Sequence, residues 1–108
     1  MTLKRGDIVL IRMHFHQAAG AKVRPAVIQL DTGDEDFVAA PVTSAPGRSQ
    51  FDLAIQDWTE AGLNVASTIR IHKLTVLPKQ EILRSVGVLT ERDHKSLLAV
   101  VRQAFERE

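Results

Sequence analysis

The sequence has no cysteine, which excludes a disulfide framework and a thiolate metal site. It also has no apolar run near the roughly 18 residues that a membrane-spanning helix needs. Residues 1–10 lack an apolar stretch followed by a small-residue cleavage site, so no secretory signal peptide is predicted. We therefore expect a cytoplasmic protein with no membrane partner.

An excess of one charge is missing as well, because 14 Lys and Arg residues nearly balance 13 Asp and Glu residues. The formal net charge of +1 gives no bulk attraction for nucleic acid. Since the basic residues are spread along the chain, any anion-binding surface has to be assembled by the fold. The 6 glycines have no G-x-G or Walker spacing, so we expect no nucleotide cofactor.

A chain of 108 residues, 44% hydrophobic and 25% charged, has the size and composition of one globular domain. We expect residues 1–108 to form a single domain around one core. Runs of β-branched and apolar residues between Gly, Pro and Asp turns predict short strands. These strands are expected over 7–13, 23–30, 37–43, 51–55, 67–74 and 85–89.

Helical structure is predicted mainly at the C-terminus. Thr90 has the position of an N-cap, and Asp93 three residues later completes an Asp variant of the capping box. Apolar residues then recur at helical spacing. They are Leu97, Leu98, Val101, Ala104 and Phe105. A helical turn is also expected over 56–63, ended by Gly62, and a short helix within 77–89. Five to six strands closed by one helix predict a mainly β fold, a small and partly open barrel.

A metal site finds little support in the histidines. His14 and His16 would lie on one face of an extended segment, as a metal-binding pair does. No third clustered ligand and no H-E-x-x-H pattern accompanies them in the sequence. We therefore predict no metal site and favour a polar loop with two exposed histidines.

Arg24 and Thr43 are the residues whose chain positions suggest a site. Arg24 stands before Pro25, which favours an extended backbone at residue 24. If the strand that begins near Arg24 and the strand that ends at Thr43 form an antiparallel hairpin, the two residues meet at one rim. They then offer a permanent cation and a hydroxyl donor, which suit a phosphodiester. Rim residues of any hairpin meet in this way, so a purely structural role stays open.

Five blocks of sequence, in this order, resemble the MazF/PemK toxins of toxin–antitoxin systems. They are KRGDIVLI (4–11), AKVRPAVIQL (21–30), FVAAPVTS (37–44), GLNVASTIRIHKLTVL (62–77) and VGVLT (86–90). The resemblance extends from about residue 4 to residue 105 and implies an SH3-like, partly open barrel that forms a homodimer. It also implies a metal-independent endoribonuclease, or mRNA interferase, that acts on single-stranded RNA and has an antitoxin protein as its partner.

The resemblance implies roles for individual residues. The arginine of the RP motif and the threonine of the PVTS motif are the family's catalytic pair, and they correspond to Arg24 and Thr43. A ribose 2′-OH would attack the adjacent phosphate, leaving a 2′,3′-cyclic phosphate and a 5′-OH end. Because an arginine side chain stays protonated, we assign Arg24 to phosphate binding. His14 and His16 are the candidates for a general base.

Further residues are expected to contact RNA, with a solvated surface position as the alternative for each cation. They are Gln17, Lys22, Ser44, Arg48, Arg70 and Lys73. Where a related branch of the family has Thr-Asp, this chain has His16 and Gln17, which removes a carboxylate from the first loop. A second function therefore stays open, that of a catalytically weak or inactive module that binds an antitoxin or a gyrase-type protein target.

Overall fold

The computed structural model describes residues 3–14 and 20–106 of the chain. In these residues a 7-stranded antiparallel sheet is followed by a C-terminal helix. The strands are β1 (Asp7–His14), β2 (Ala21–Leu30), β3 (Asp36–Thr43), β4 (Asp52–Ala54), β5 (Thr68–Arg70), β6 (Thr75–Pro78) and β7 (Ile82–Val88), and helix α1 spans Glu91–Glu106. The predicted mainly β fold with a closing helix is confirmed, although the strand count exceeds the predicted five to six.

The sheet stays open, and its central strand changes partner. The strand order is β4-β5-β3-β2-β1-β7, so β4 and β7 are edges. On the side of β3 away from β2, residues 36–39 pair with β6 and residues 42–43 pair with β5. Pro41 lies between the residues of β3 that pair with β6 and those that pair with β5. Neither of these ladders therefore needs the backbone N–H that proline lacks. The sequence predicts an edge strand or a bulge at Pro41. In the structure β3 is instead a central strand, and Pro41 lies where its pairing partner changes from β6 to β5.

The strand predicted over 67–74 is shorter in the structure. β5 ends at Arg70, and a 3-10 helix spans Ile71–Lys73. The Leu74 N–H closes this turn on the Ile71 carbonyl at 3.2 Å. The turn separates β5 from β6, which allows both strands to pair with β3.

The short helix predicted within 77–89 is present only as a three-residue 3-10 helix, and the strand that follows it begins three residues before the predicted start at 85. The segment begins in β6, and a 3-10 helix over Lys79–Glu81 leads directly into β7. The Lys79 N–H donates to the Glu35 carbonyl at 2.8 Å, which extends the contact between β6 and β3. Pairing with β3, which is distant in sequence, therefore decides the conformation of residues 75–78, because it provides hydrogen-bond partners for their backbone.

The middle parts of strands β1, β2 and β3 are buried on both faces, so successive residues there enter two different cores. Ile8 and Val27 belong to the first core, whereas Val9 and Ile28 belong to the second. Leu97 of α1 is 0% exposed in the first core and fixes the helix against the sheet. The prediction of one core is therefore wrong, because short apolar strands are covered on each side.

The start of α1 confirms half of the predicted capping box. Thr90 Oγ1 accepts the Asp93 N–H at 3.4 Å, as an N-cap does. The Asp93 carboxylate has a different role, since its Oδ1 and Oδ2 accept the N–H groups of Gln56 and Asp57 at 2.9 and 2.8 Å. Asp93 is 1% exposed and joins the helix to the turn over residues 56–62. No helix among the described residues has the length and apolar character to cross a membrane.

Candidate functional site

Arg24 and Thr43 face each other across the β2–β3 hairpin. The ladder includes Val27↔Ala40 and Ala26↔Pro41, and the same register two residues further on places Arg24 opposite Thr43. Directly opposed residues of antiparallel strands project to the same face. The hairpin predicted from the sequence is thus present, and both side chains line the same two clefts.

The backbone around this pair differs from the prediction in one respect. β2 begins at Ala21, so Pro25 lies inside the strand and opposite Leu10 of β1, not at the strand start. Arg24 pairs with Ile11 in the same ladder, which holds its backbone extended. The arginine is therefore part of a paired strand and not of the loop that precedes it.

The hydroxyl group of Thr43 is oriented by the chain that follows it. Thr43 Oγ1 accepts the Ala45 N–H at 3.1 Å. Because the oxygen accepts from the backbone, the hydroxyl hydrogen can be donated to a second group. Thr43 is half-buried at the end of β3, so a ligand in the clefts can reach this donor.

The first cleft has a volume of about 550 Å³ and lies between β1, β2, β7 and the loop over residues 62–67. Its cations are Lys22, Arg24 and Arg84, and its hydroxyl and amide groups belong to Thr43, Ser44, Asn64 and Ser67. Apolar side chains such as Val23 and Val65 complete the lining. Within the part of the chain that the structure describes, no acidic side chain lines this cleft. It therefore suits an anionic group with an apolar or planar part.

The second cleft, of about 660 Å³, shares Arg24, Val42 and Thr43 with the first. Its other polar residues are His14, Arg70, Lys73 and Thr75. Here too the lining residues, taken from 3–14 and 20–106, include no Asp or Glu. The Arg24–Thr43 pair thus lies at the boundary between two clefts that both carry positive charge.

The two glycines at 62 and 87 allow the wall of the first cleft to pack closely on β7. A Cβ on Gly87 would lie 2.1 Å from the Ala61 carbonyl oxygen, and one on Gly62 would lie 2.4 Å from the Val86 carbonyl oxygen. Gly62 also has a φ of 92°, which other residues rarely adopt. The contact of these backbones sets where the loop over residues 62–67 begins.

A small third cleft of about 120 Å³ lies beyond Thr43 and is lined by Arg48, Asp52 and Arg70 among others. The Asp52 side chain is 2% exposed. Hydrogen bonding from the Arg48 backbone N–H is the main cause that lowers the pKa of the Asp52 carboxyl, and burial opposes it. The Ser49 N–H and the nearby charges of Arg70 and His72 act in the same direction as the Arg48 N–H. Asp52 is therefore a carboxylate at neutral pH.

His14, at the end of β1, lies beside a carboxylate. Its Nε2 is 3.5 Å from Glu81 Oε1, and Arg12 Nη1 is 3.3 Å from Glu81 Oε2. The His14 side chain is 64% exposed. If Nε2 carries the hydrogen that faces Glu81, Nδ1 is the nitrogen that can accept a proton.

The predicted site residues fall into three groups. Seven of them line the first two clefts, namely His14, Lys22, Arg24, Thr43, Ser44, Arg70 and Lys73. Arg48 lines the third cleft, which it shares with Thr43 and Arg70. His16 and Gln17 lie outside the described residues. In the described ranges no group of three or more His, Asp or Glu side chains is arranged to hold a metal ion.

Sequence reasoning missed Arg84, Asn64 and Asp52. Arg84 lies in β7, in a stretch whose start the sequence assigns to a helix. Asn64 lies within the block GLNVASTIRIHKLTVL, but the resemblance assigns it no role. Asp52 alternates with apolar neighbours as any strand residue does, and only its pairing with Arg70 shows where it lies.

Charge is also polarised along the β2–β3 hairpin. The turn that joins the strands carries Asp31, Asp34 and Glu35, and β3 begins with Asp36, all at the far end from Arg24 and Thr43. Lys79 Nζ contacts Asp31 Oδ1 at 2.8 Å, and hydrogen bonding to Lys79 is the main cause that lowers the pKa of the Asp31 carboxyl. The near-zero net charge therefore conceals a basic end and an acidic end.

Comparison with known proteins identifies relatives. The family model described as "PemK-like, MazF-like toxin of type II toxin-antitoxin system" matches residues 4–105. The solved structure of Mycobacterium tuberculosis toxin MazF-mt6 has a TM-score of 0.77 at 18% identity, covering 94% of this chain and 98% of that chain. A mycobacterial endoribonuclease in complex with its cognate antitoxin has a TM-score of 0.76 at 17% identity, covering 100% of this chain and 98% of that chain. No curated protein sequence matches.

Proposed function

Because the chain belongs to the PemK-like, MazF-like toxin family of type II toxin–antitoxin systems, we propose that this toxin is an endoribonuclease that cleaves single-stranded RNA. The observation that carries the proposal is the Arg24–Thr43 pair at the boundary between two cationic clefts. A phosphate bound there meets a guanidinium and a hydroxyl donor, and the RNA chain has a positively charged path on each side.

In the proposed reaction the ribose 2′-oxygen attacks the adjacent phosphorus and the bond to the 5′-oxygen breaks. The products are a 2′,3′-cyclic phosphate and a 5′-OH end. Arg24 binds the non-bridging oxygens and stabilises the charge that builds on them, while Thr43 donates its hydroxyl hydrogen. His14 is the candidate that takes the proton from the 2′-OH, and the departing 5′-oxygen takes a proton from solvent water. Since Arg24 supplies the cation at the phosphate, the proposed reaction needs no metal ion.

The clefts suggest how the RNA strand is held. Lys22 and Arg84 in the first cleft and Arg70 and Lys73 in the second can neutralise phosphates on either side of the scissile bond. Asn64 is placed to hydrogen-bond a base edge beside the apolar lining of the first cleft. The strand therefore crosses the Arg24–Thr43 pair from one cleft to the other.

The test is cleavage of a random-sequence single-stranded RNA pool by purified protein in excess EDTA, with the ends analysed chemically. We expect 5′-OH and cyclic phosphate ends, and a rate lowered roughly 10²- to 10³-fold in Arg24→Ala, because a donor to the developing charge is lost. Arg102→Ala removes an exposed cation of α1 that lines none of the three clefts and serves as the control. Equal rates for wild type and Arg24→Ala contradict the proposal.

We also propose that the protein forms a homodimer and that a cognate antitoxin binds it, as the similar mycobacterial endoribonuclease is in complex with its cognate antitoxin. Growth arrest on expression, relieved by co-expression of a small neighbouring gene, tests the antitoxin partner, and light scattering tests the dimer. The alternative function, antitoxin or protein-target binding without cleavage, is favoured if growth arrest occurs and the RNA ends described above do not form.

A further inference from the structure

Asp52 places a buried negative charge inside an otherwise cationic surface. Its carboxylate accepts the Arg48 and Ser49 N–H groups at 2.8 and 3.1 Å through Oδ2. Its Oδ1 lies 3.6 Å from Arg70 Nε and 3.6 Å from His72 Nδ1. One side chain thus contacts the loop after β3 and the end of β5.

The strand ladders connect Asp52 to the catalytic pair. Asp52 is opposite Arg70 in the β4–β5 ladder, and Thr68 of β5 is opposite Thr43 in the next ladder. Arg70 is therefore two residues along β5 from the partner of Thr43. The Arg70 side chain is 37% exposed and lines the second and third clefts. With Nε on the Asp52 side, the terminal nitrogens of the guanidinium are the donors that a phosphate can use.

The loop over residues 44–50 is anchored on the same carboxylate. Besides the two N–H groups that Asp52 accepts, its own N–H donates to the Ser49 carbonyl at 3.1 Å. Gly47 lies close to it, since a Cβ built there would be 3.1 Å from Asp52 Cβ. This loop begins directly after Thr43 and carries Arg48 into the third cleft. A single carboxylate therefore fixes two arginine-bearing segments beside Thr43.

A carboxylate near an RNA backbone repels phosphate, so Asp52 reduces the affinity of this surface for RNA. A carboxylate at this position is explained if fixing the positions of Arg48 and Arg70 favours the reaction more than the loss of RNA affinity disfavours it. We propose that Asp52 is a positioning residue of the ribonuclease site, which holds Arg48 and Arg70 in place for the phosphates next to the scissile bond. This inference rests on the proposed function.

Asp52→Asn tests the inference, because the amide oxygen can still accept a backbone N–H while the charge is lost. Binding is measured with a 2′-O-methylated random-sequence single-stranded RNA, which lacks the attacking hydroxyl, over a series of salt concentrations. We expect Asp52→Asn to bind this RNA no more weakly than wild type. The slope of log K against log salt should become steeper by up to about 0.7, because Arg70 is released from Asp52 and can neutralise a phosphate. Single-turnover cleavage of the unmodified RNA should slow roughly 10- to 100-fold, the loss typical of a displaced contact.

Asp57→Asn is the matched control. Asp57 is also an arginine-bound aspartate, paired with Arg92 and accepting from Thr90 at 2.6 Å, but it lines none of the three clefts. It should leave the salt slope and the cleavage rate unchanged. A purely structural role for Asp52 predicts instead that binding and cleavage weaken together at an unchanged slope, and that result overturns the inference.

Two further measurements keep the outcome decisive. If circular dichroism shows that Asp52→Asn does not fold, Arg70→Gln replaces it, and we expect a slope shallower by up to about 0.7 together with slower cleavage; an unchanged slope contradicts the inference. If wild type binds the methylated RNA but does not cut unmodified RNA, the proposed function fails, and the positioning role falls with it. If cleavage is normal in Asp52→Asn, only the positioning role is lost.

Discussion

Asp93→Asn is the substitution whose effect the structure predicts most directly. Both carboxylate oxygens of Asp93 accept backbone N–H groups, from Gln56 at 2.9 Å and from Asp57 at 2.8 Å. An asparagine offers one acceptor oxygen, and its amide group would point a donor at one of these N–H donors. One backbone N–H therefore loses its partner in a position where Asp93 itself is only 1% exposed.

The magnitude follows from these contacts. A hydrogen bond to a charged group contributes about 1.5–3 kcal/mol, and a buried donor left without a partner costs about 1–3 kcal/mol. We expect Asp93→Asn to lower the free energy of unfolding by about 3 kcal/mol, and Asp93→Ala to lower it at least as much. Because a domain of this kind has a total stability of about 5–15 kcal/mol, such a loss is a large part of the whole.

Urea unfolding followed by circular dichroism measures this change through the midpoint and slope of the transition. Thr90→Ala is the comparison, since it removes the N-cap acceptor of the same helix together with the hydroxyl donor to Asp57, and it should cost about 1–2 kcal/mol. If Asp93→Asn unfolds within about 0.5 kcal/mol of wild type, a margin typical of neutral surface changes, the carboxylate does not hold the turn over residues 56–62 as described.

Two other predictions concern the first-cleft wall and acid stability. Gly87→Ala should lower the unfolding free energy by about 1–3 kcal/mol and weaken the proposed RNA binding, because its Cβ would lie 2.1 Å from the Ala61 carbonyl oxygen, whereas an ordinary contact is at least 3.4 Å. Ser85→Ala on the same strand should change neither. Hydrogen bonding to Arg92 is the main cause that lowers the pKa of Asp57 in the folded protein. This carboxylate therefore stabilises the fold at pH values above its unfolded pKa of about 3.9, and the stabilisation is lost as the pH falls through the folded pKa. The difference in Tm between wild type and Asp57→Asn should therefore shrink as the pH is lowered below about 4, and a constant difference contradicts the assignment.

The part of the site that the sequence predicts is local in the chain. Arg24 and Thr43 belong to strands joined by one Asp- and Gly-containing turn, so chain order alone suffices to bring them together. The helix α1 is predictable for the same reason, since its cap and its apolar spacing lie within one segment.

The remainder depends on partners that are distant in sequence. The conformation of residues 75–78 is set by pairing with β3, which no pattern near those residues reveals. The role of Asp93 is similar, because an aspartate three residues after Thr90 fits a capping box and only the approach of Gln56 and Asp57 assigns it otherwise. The position of Asp52 beside Arg70 likewise requires the β4–β5 ladder.

The burial of the middle of β1, β2 and β3 on both faces restricts where residues can be inserted into or deleted from this protein. A single-residue deletion between Arg24 and Val27 would shift the register of one side of β2, so that either Val27 and Ile28 exchange cores or Arg24 turns away from the face of Thr43. The turn over residues 31–35 is exposed apart from the half-buried Asp31, and it can absorb insertions without moving either core. Insertions and deletions should therefore be accepted at the acidic end of the hairpin, while diversification at its basic end proceeds by substitution within a fixed strand register.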